Sequence, residues 1–216
     1  MILPHKAKNK NSKNIIVVFQ SFNKKLYEPK HIDDFELENS FSNYDIDYDL
    51  LFVKDIKRGY WYLYDVETTS KNLQEYTSKY NKVVFTGISA GGFASILYGS
   101  LLGVNLVIAV NPQTSLKDFE TGEILITPEM PLFDPIEKKP EIKQYIDTKP
   151  HINKITKYYL NGHKHEQKYS SLNNPEKLHD IKNYEYLSDF PNVHLLPFML
   201  DGYRTTDFVD LLLKHE

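Results

Sequence analysis

The glycines of this chain are concentrated at one place. Five of the nine glycines lie within residues 87–103, next to a β-branched apolar run at residues 83–86. Residues 93–102 then carry apolar side chains at helical spacing. Glycine is used where the backbone must adopt unusual dihedral angles or approach another segment closely. The sequence therefore predicts a sharp turn between a strand and a helix.

The rest of the chain alternates between strand-like and helix-like segments. Continuous apolar runs, typical of strands buried on both faces, occupy residues 15–19, 50–53, 83–86 and 106–110, with further candidates at 155–160 and 193–199. Helical patterns cover residues 70–80, 93–102 and 205–214. This alternation predicts an α/β fold in three layers, with a mostly parallel sheet of about six strands between helices.

The 216 residues are expected to form a single domain. Residues 1–14, which are rich in lysine, are predicted to be a flexible tail. Residues 111–150 contain six of the eleven prolines and show no sustained period. Because long structureless loops are rare in compact domains, we expect this segment to be a cap or lid insertion over the carboxyl ends of the strands.

Composition excludes several classes of function. With no cysteine, the chain has no disulfide framework, zinc ribbon or cysteine nucleophile. A formal net charge of -3 gives no general attraction to nucleic acid or to anionic membranes. No apolar run approaches the roughly 20 residues that cross a bilayer, and the amino-terminal segment lacks the apolar region of a signal peptide. We expect a soluble, cytoplasmic protein with no nucleic acid partner and no membrane span.

The segment Gly-Ile-Ser-Ala-Gly at residues 87–91 matches the G-x-S-x-G motif of a nucleophile elbow. Such a turn presents Ser89 above the sheet and directs backbone N–H groups at the start of the following helix toward the same point. Ala90 is the expected first donor of an oxyanion hole. Ser21 or Phe22, which follow the first predicted strand, is the expected second donor; the alternative is that this segment is an ordinary polar turn.

Three stretches together resemble a known group of proteins. FTGISAGGFASILYG, the following IAVNPQT and the earlier RGYWYLY resemble α/β-hydrolase-fold proteins of bacterial capsule and surface-polysaccharide biosynthesis. Some members of that group are esterase-like and others are serine-dependent O-acetyltransferases. The resemblance covers roughly residues 15–116. It implies an α/β-hydrolase-like fold and a Ser-His-acid triad, with Ser89 as the nucleophile.

The second half of the chain departs from that pattern. In the resembled proteins a histidine follows the last strand, whereas here Tyr203 stands at that place. Histidine titrates near neutral pH and can take and return the serine proton, which tyrosine does not do. His163 and His165 follow the predicted strand at 155–160 and are the candidate bases, with Asp201 as the orienting acid. The alternative is that both are solvated loop histidines, and that the protein binds its ligand without catalysis.

Glu166 is a second candidate for the orienting acid. Together with His163 and His165 it also suggests a metal site, because side chains two residues apart share a face of an extended segment. No third ligand joins the two histidines on their shared face, and we predict no metal. His194 is expected near the amino end of its strand, away from the serine.

Candidate substrate-binding residues come from several segments of the chain. They are Gln20, Trp61, Asn111, Gln113 and Tyr203. The aromatic residues at 60–64 either pack internally, which we favour, or stack on sugar rings. The segment NPQT at 111–114 is either an ordinary turn or a polar wall of the pocket.

The function predicted from these residues is hydrolysis of an acyl ester through a Ser89 acyl-enzyme. The expected substrate is a carbohydrate or a small acylated molecule, and no cofactor is required. One alternative is O-acetyl transfer in surface-polysaccharide biosynthesis, with acetyl-coenzyme A as co-substrate. Another is a non-catalytic protein that binds a glycan or an assembly partner and retains the turn as architecture.

Overall fold

The structure is a computed structural model that describes residues 5–8, 11–21, 33–35, 37–42, 45–55, 61–117, 119, 122, 124, 139–161, 185–196, 210 and 214. Its strands are β1 (His5–Lys8), β2 (Asn14–Phe19), β3 (Asp49–Val53), β4 (Lys82–Ile88), β5 (Leu106–Val110), β6 (Lys157–Asn161) and β7 (Val193–Leu196). Its α-helices are α1 (Glu38–Ser42), α2 (Val66–Thr77) and α3 (Ala90–Leu102), and short 3₁₀ helices cover Pro140–Tyr145 and Lys149–His151.

The described strands form one sheet in the order β1-β3-β2-β4-β5-β6-β7. β1 pairs antiparallel with β3, and every other pair is parallel. The predicted three-layer α/β fold with a mostly parallel sheet is confirmed. β4, which precedes Ser89, is the central strand, so the carboxyl ends of its neighbours lie on both sides of the serine.

Both faces of the sheet are covered, as the continuous apolar runs predict. Ile15 and Val17 of β2 belong to a core that includes buried side chains of α2 and α3. Ile16 and Val18 point to the opposite face and belong to a second core that includes Phe41 of α1. Alternate side chains of one strand therefore face different layers, and an apolar residue is needed at every position.

The helices begin earlier than their apolar patterns predict. α2 begins at Val66 rather than at residue 70, because the Asp65 carboxylate accepts a hydrogen bond of 3.1 Å from Thr68 N–H and caps the helix. α3 begins directly after the turn, at Ala90. The pattern of apolar residues misses these first turns because, apart from Val66, small or polar residues occupy them. Of the predicted helix at 205–214, only residues 210 and 214 are described, and both are helical.

Part of the predicted amino-terminal tail is a strand. The segment HKAK of β1 pairs along β3 from Val53 to Leu50, so the prediction of a flexible tail is wrong there. Lys8 Nζ lies 3.1 Å from Glu38 Oε1. Lysine is common on exposed edge strands, where it discourages pairing with other chains. The pattern of the residues gave no signal for this strand, because it is held by backbone pairing rather than by apolar side chains.

The predicted cap is described in part, at residues 111–117, 119, 122, 124 and 139–150. Its first part, residues 111–117, and its last part, residues 139–150, are joined by hydrogen bonds. Thr148 donates to the Thr114 carbonyl through its N–H at 3.0 Å and its hydroxyl at 2.7 Å. Leu116 N–H donates to the Ile146 carbonyl at 2.8 Å. Coverage of the strand ends by this segment stays a prediction. Among the described residues, no helix has the length and apolar character that spanning a membrane requires.

Candidate active site

Ser89 occupies the predicted turn between β4 and α3. Its φ is 53° and its ψ is -120°, a conformation that glycine adopts readily and that typically costs other residues about 1–3 kcal/mol. Hydrogen bonds hold the residue there, because Ser89 N–H donates to the Val110 carbonyl at 3.0 Å and Phe93 N–H donates to the Ser89 carbonyl at 2.9 Å. The strain is therefore imposed by the sheet on one side and by the helix on the other.

The glycines that flank Ser89 are required by close backbone approach. A Cβ on Gly91 would lie 2.1 Å from the Phe19 carbonyl oxygen at the end of β2. A Cβ on Gly87 would lie 2.4 Å from backbone atoms of Gly91 and 2.8 Å from the same Phe19 oxygen. No side chain fits at either position without movement of the backbone. The first turn of α3 consequently rests directly on the end of β2, and this brings the segment after β2 beside Ser89.

The two predicted sources of oxyanion donors come from the first residue of α3 and from the segment after β2. Ala90 begins α3, so its N–H belongs to the first turn, whose N–H groups have no acceptor within the helix. In the register of the sheet Phe19 pairs with Gly87, and Ser21 and Ser89 each follow two residues later in the chain. Ser21 is buried. Phe22 lies outside the described residues.

Gln113 lies beside Ser89. Its side chain is fully buried, and its Nε2 and Oε1 lie 3.4 Å and 3.5 Å from Ser89 Oγ. Both distances are at the long limit of a hydrogen bond, so the contact is weak. The sequence left open whether Gln113 belongs to a turn or to a polar wall. In the structure it is a polar side chain against the serine, and its contact with substrate stays a prediction.

Asn111 explains how Gln113 reaches Ser89. It follows the last residue of β5 with a φ of 44°, and its N–H donates to the carbonyl of Asn161, the last residue of β6. The chain therefore turns sharply at the end of the strand. A Cβ on Gly92 would lie 3.0 Å from Pro112 Cβ, which shows that the turned segment packs against the start of α3.

Trp61 is packed inside the protein close to the start of α3. It is 3% exposed, and its ring lies edge-on to that of Phe93, with centroids 6.1 Å apart. This is the packing role that the sequence analysis favoured. Stacking of Trp61 on a sugar ring stays a prediction. Trp61 and its neighbour Tyr62 both have positive φ, at 50° and 64°.

A group of buried polar contacts lies beside Gln20 and was missed by sequence reasoning. The Tyr62 hydroxyl donates to the Gln20 carbonyl at 2.7 Å, and the Tyr98 hydroxyl donates to the Tyr62 carbonyl at 2.6 Å. Burial raises the pKa of Tyr98 far above its ordinary value, so this phenol stays a donor at neutral pH. The dense aromatic segment was the available signal, but aromatic residues do not reveal from sequence which backbone group a hydroxyl will reach.

The predicted base, acid and Tyr203 are not placed by the structure. His163, His165, Asp201 and Tyr203 lie outside the described residues. β6 ends at Asn161, which pairs with Val110 of β5. β6 therefore ends at the same edge of the sheet as β4, which Ser89 follows.

Two histidine side chains are described, and their contacts lie elsewhere. His151 Nε2 lies 2.8 Å from the Gln144 carbonyl oxygen, and the ring stacks on Tyr145. His194 is the second residue of β7 and stacks on Tyr159, with ring centroids 4.9 Å apart. Its place near the amino end of the strand is the predicted one. Within the described part of the chain, the side chain that contacts the Ser89 hydroxyl is therefore an amide rather than an imidazole.

Comparison with known proteins identifies the architecture. No protein-family model matches the sequence, and no curated protein matches it. Among solved structures, Est1E from Butyrivibrio proteoclasticus aligns with a TM-score of 0.61 at 11% identity, over 99% of this chain and 93% of that one. The capsule O-acetyltransferase of Neisseria meningitidis serogroup A aligns with a TM-score of 0.58 at 13% identity, over 93% and 85%. The α/β hydrolase MGS-MChE2, from a lagoon-sediment metagenome, gives 0.51 at 15% identity, over 98% and 93%.

The chain has the α/β-hydrolase fold. These likenesses, together with the central position of β4 and the turn at Ser89, confirm the fold predicted from the sequence. In a hydrolase fold the serine follows a central strand and its partners come from the carboxyl ends of neighbouring strands. Identities of 11–15% establish the fold alone, so the evidence for the chemistry lies in the residues at the turn.

Proposed function

We propose that this protein is a serine-dependent acyl-ester hydrolase that acts through a Ser89 acyl-enzyme. The observation that carries the proposal is the strained conformation of Ser89, with a φ of 53° and a ψ of -120°, at the start of α3. A protein that used this turn only for packing would be more stable with glycine there. Retention of a hydroxyl-bearing residue in a strained position, beside helix N–H groups, supports a nucleophile.

The proposed reaction proceeds in two stages, acylation of Ser89 and hydrolysis of the acyl-enzyme. The Ser89 hydroxyl gives its proton to a base while Oγ bonds to the acyl carbonyl carbon, and the carbonyl oxygen becomes an oxyanion. The N–H groups of Ala90 and Ser21 stabilise that charge by donating hydrogen bonds. The ester C–O bond then breaks, and the departing alkoxide takes the proton from the base. Water next attacks the acyl-serine, and the same base accepts its proton and returns a proton to Ser89 Oγ.

The base in this proposal is His163 or His165, with Asp201 as its orienting acid. The support is topological: β6 delivers the chain to the edge of the sheet where Ser89 lies. We expect asparagine at the functional histidine to lower the rate of ester hydrolysis by at least about a hundredfold, because general-base catalysis contributes that much or more. The same substitution at the other histidine is the matched control. Unchanged rates in both variants would exclude this pair.

The proposed substrate is an ester on a carbohydrate or a small acylated molecule, contacted by Gln20, Trp61, Asn111, Gln113 and Tyr203. Transfer to a sugar hydroxyl uses the same acyl-enzyme with a different acceptor, and the likeness to the capsule O-acetyltransferase supports it as the second candidate. Incubation with acetyl-coenzyme A plus a surface glycan, and with an acetylated glycan alone, separates the two reactions. We expect acetyl loss from the second mixture. Acetyl gain in the first with no loss in the second would favour transfer.

Reaction with a fluorophosphonate probe tests the nucleophile and separates catalysis from the non-catalytic alternative. We expect the unaltered protein to be labelled and Ser89→Ala to be unlabelled. Ser78→Ala is the matched control, because Ser78 is exposed at the end of α2 and its hydroxyl bonds the Glu75 carbonyl. Equal labelling of Ser89→Ala and the unaltered protein would contradict the assignment. Absence of labelling in all three proteins would favour a binding role.

A further inference from the structure

The carbonyl of Gln20 has an unusual donor at the end of β2. β3 ends at Val53, so the backbone pairing of β2 with β3 stops there. Beyond that point the Tyr62 hydroxyl lies 2.7 Å from the Gln20 carbonyl oxygen and 3.2 Å from the Val53 carbonyl oxygen. The shorter distance marks the Gln20 carbonyl as the main acceptor. Tyr62 therefore fixes one peptide group directly beyond the sheet.

The direction of that peptide group follows from the backbone. Gln20 N–H donates to the Val53 carbonyl at 2.9 Å, so it points toward β3. The Gln20 carbonyl points to the same side, because it meets the Tyr62 hydroxyl that also approaches Val53. In a planar trans peptide the carbonyl and the following N–H point in opposite directions. The N–H of Ser21 is thus directed away from β3, toward the side of β4 and Ser89.

Tyr62 is itself held from several sides. Its backbone N–H donates to the buried Asp55 carboxylate at 3.0 Å, and its carbonyl accepts from the Tyr98 hydroxyl at 2.6 Å. Its ring lies edge-on to Phe19, with centroids 5.6 Å apart. These contacts keep Tyr62 in its left-handed conformation with a φ of 64°. Because Tyr62 is buried and held by these contacts, its hydroxyl has a fixed position relative to the peptide that it contacts.

We propose that Tyr62 is a positioning residue that holds the Gln20–Ser21 peptide so that Ser21 N–H serves as the second oxyanion donor. The inference rests on the proposed acyl-enzyme chemistry and deepens it, because it selects Ser21 as the donor and identifies what aims it. An oxyanion donor contributes through its fixed orientation, since it need not reorganise as charge develops. Removing the hydroxyl that fixes the peptide lowers the rate of acylation while leaving ground-state binding intact.

Tyr62→Phe is the direct test, and Tyr80→Phe is its matched control. Tyr80 also donates a buried hydrogen bond, at 2.8 Å to Asp49, but at the opposite end of β3. With p-nitrophenyl acetate as the probe substrate, we expect Tyr62→Phe to lower kcat by about tenfold or more with little change in KM. Tyr80→Phe should leave both constants near those of the unaltered protein. The proposal would be overturned if the two variants had equal kcat. It would also be overturned if Tyr62→Phe raised KM and left kcat unchanged.

Crystal structures of the two variants provide a readout that does not depend on activity. We expect the Gln20–Ser21 peptide to rotate or to adopt several orientations in Tyr62→Phe, and to keep its direction in Tyr80→Phe. An unchanged peptide in Tyr62→Phe would overturn the proposal even if kcat falls. If the unaltered protein does not turn over the ester, the acyl-enzyme proposal fails, and the peptide direction still decides whether Tyr62 positions Ser21.

Discussion

The side-chain amide of Gln113 lies 3.4 Å from Ser89 Oγ and is fully buried. A buried amide beside a nucleophile presents a dipole but no net charge. In the proposed reaction, the negative charge that develops on Oγ as its proton leaves is therefore not opposed by this side chain. In the proposed mechanism, the identity of this residue consequently affects how readily Ser89 reacts as a nucleophile.

Gln113→Glu is expected to slow the reaction of Ser89 with a fluorophosphonate by at least about tenfold near neutral pH, because a carboxylate within about 4 Å opposes negative charge on Oγ. Gln113→Met keeps the length of the side chain without the amide and is the matched control, with a smaller effect. Labelling rates measured at several probe concentrations give the comparison. Faster labelling of Gln113→Glu would mean that the carboxylate acts as a base, which this account does not allow.

Ser89→Gly is expected to be more stable than Ser89→Ala by about 1 kcal/mol. Relief of the strain at a φ of 53° and a ψ of -120° outweighs the greater entropy that glycine has in the unfolded chain. Urea unfolding of the two inactive variants, monitored by tryptophan fluorescence, measures the difference in free energy of unfolding. Equal stability, or a more stable alanine variant, would show that the turn is not strained.

Gly91→Ala is expected to lower the free energy of unfolding by about 2 kcal/mol or more, because its Cβ would lie 2.1 Å from a backbone oxygen of β2. Gly92→Ala is the adjacent control on the same helix. Its Cβ would first meet Pro112 at 3.0 Å, so a smaller loss is expected. If both variants lost the same stability, the close approach of α3 to β2 would not be the reason for glycine at position 91.

Much of the central architecture could be predicted from the sequence. Strands buried on both faces require apolar residues at every position, as in β2 and β5, and this gives a strong local signal. The turn at Ser89 was predictable because backbone contacts at Gly87 and Gly91 exclude any side chain. These features depend on a residue's immediate neighbours in the chain or on one steric requirement.

Other parts depend on pairings that leave little mark on the sequence. β1 is held by backbone hydrogen bonds to β3, and its residues HKAK carry no apolar signal. The contact from Tyr62 to Gln20 joins positions 42 residues apart. Gln113 lies against Ser89 after a turn at Asn111, which has a positive φ and whose N–H donates to the carbonyl at the end of β6. Tertiary contacts of this kind are specified only when the strands assemble.

The pH dependence of stability is expected to depend on Tyr80. Burial, followed by its hydrogen bond to the Asp49 carboxylate, raises the pKa of Tyr80 above that of an unfolded tyrosine, which is about 10. A raised pKa in the folded state means that the unfolded chain loses its proton first. The stabilisation is therefore complete below about pH 10 and is lost as the pH rises above that value.

Tyr80→Phe should accordingly be less stable near neutral pH, by about 1–2 kcal/mol, since the buried Asp49 carboxylate loses one of its hydrogen-bond donors. Its free energy of unfolding should then decline less steeply than that of the unaltered protein as the pH is raised through about 10. Urea unfolding at a series of alkaline pH values measures how the free energy of unfolding changes with pH in the variant and in the unaltered protein. Parallel slopes would contradict the assigned pKa shift.

The most direct test of the central claim is mass spectrometry of the protein during reaction with p-nitrophenyl acetate. Samples quenched in acid should contain protein heavier by one acetyl group, and digestion should locate that group on the peptide that contains Ser89. Ser89→Ala should remain unmodified, and Ser78→Ala should carry the acetyl group as the unaltered protein does. An acetyl group found on another residue of the protein while ester hydrolysis continues, or hydrolysis by Ser89→Ala at an undiminished rate, would contradict the acyl-enzyme account.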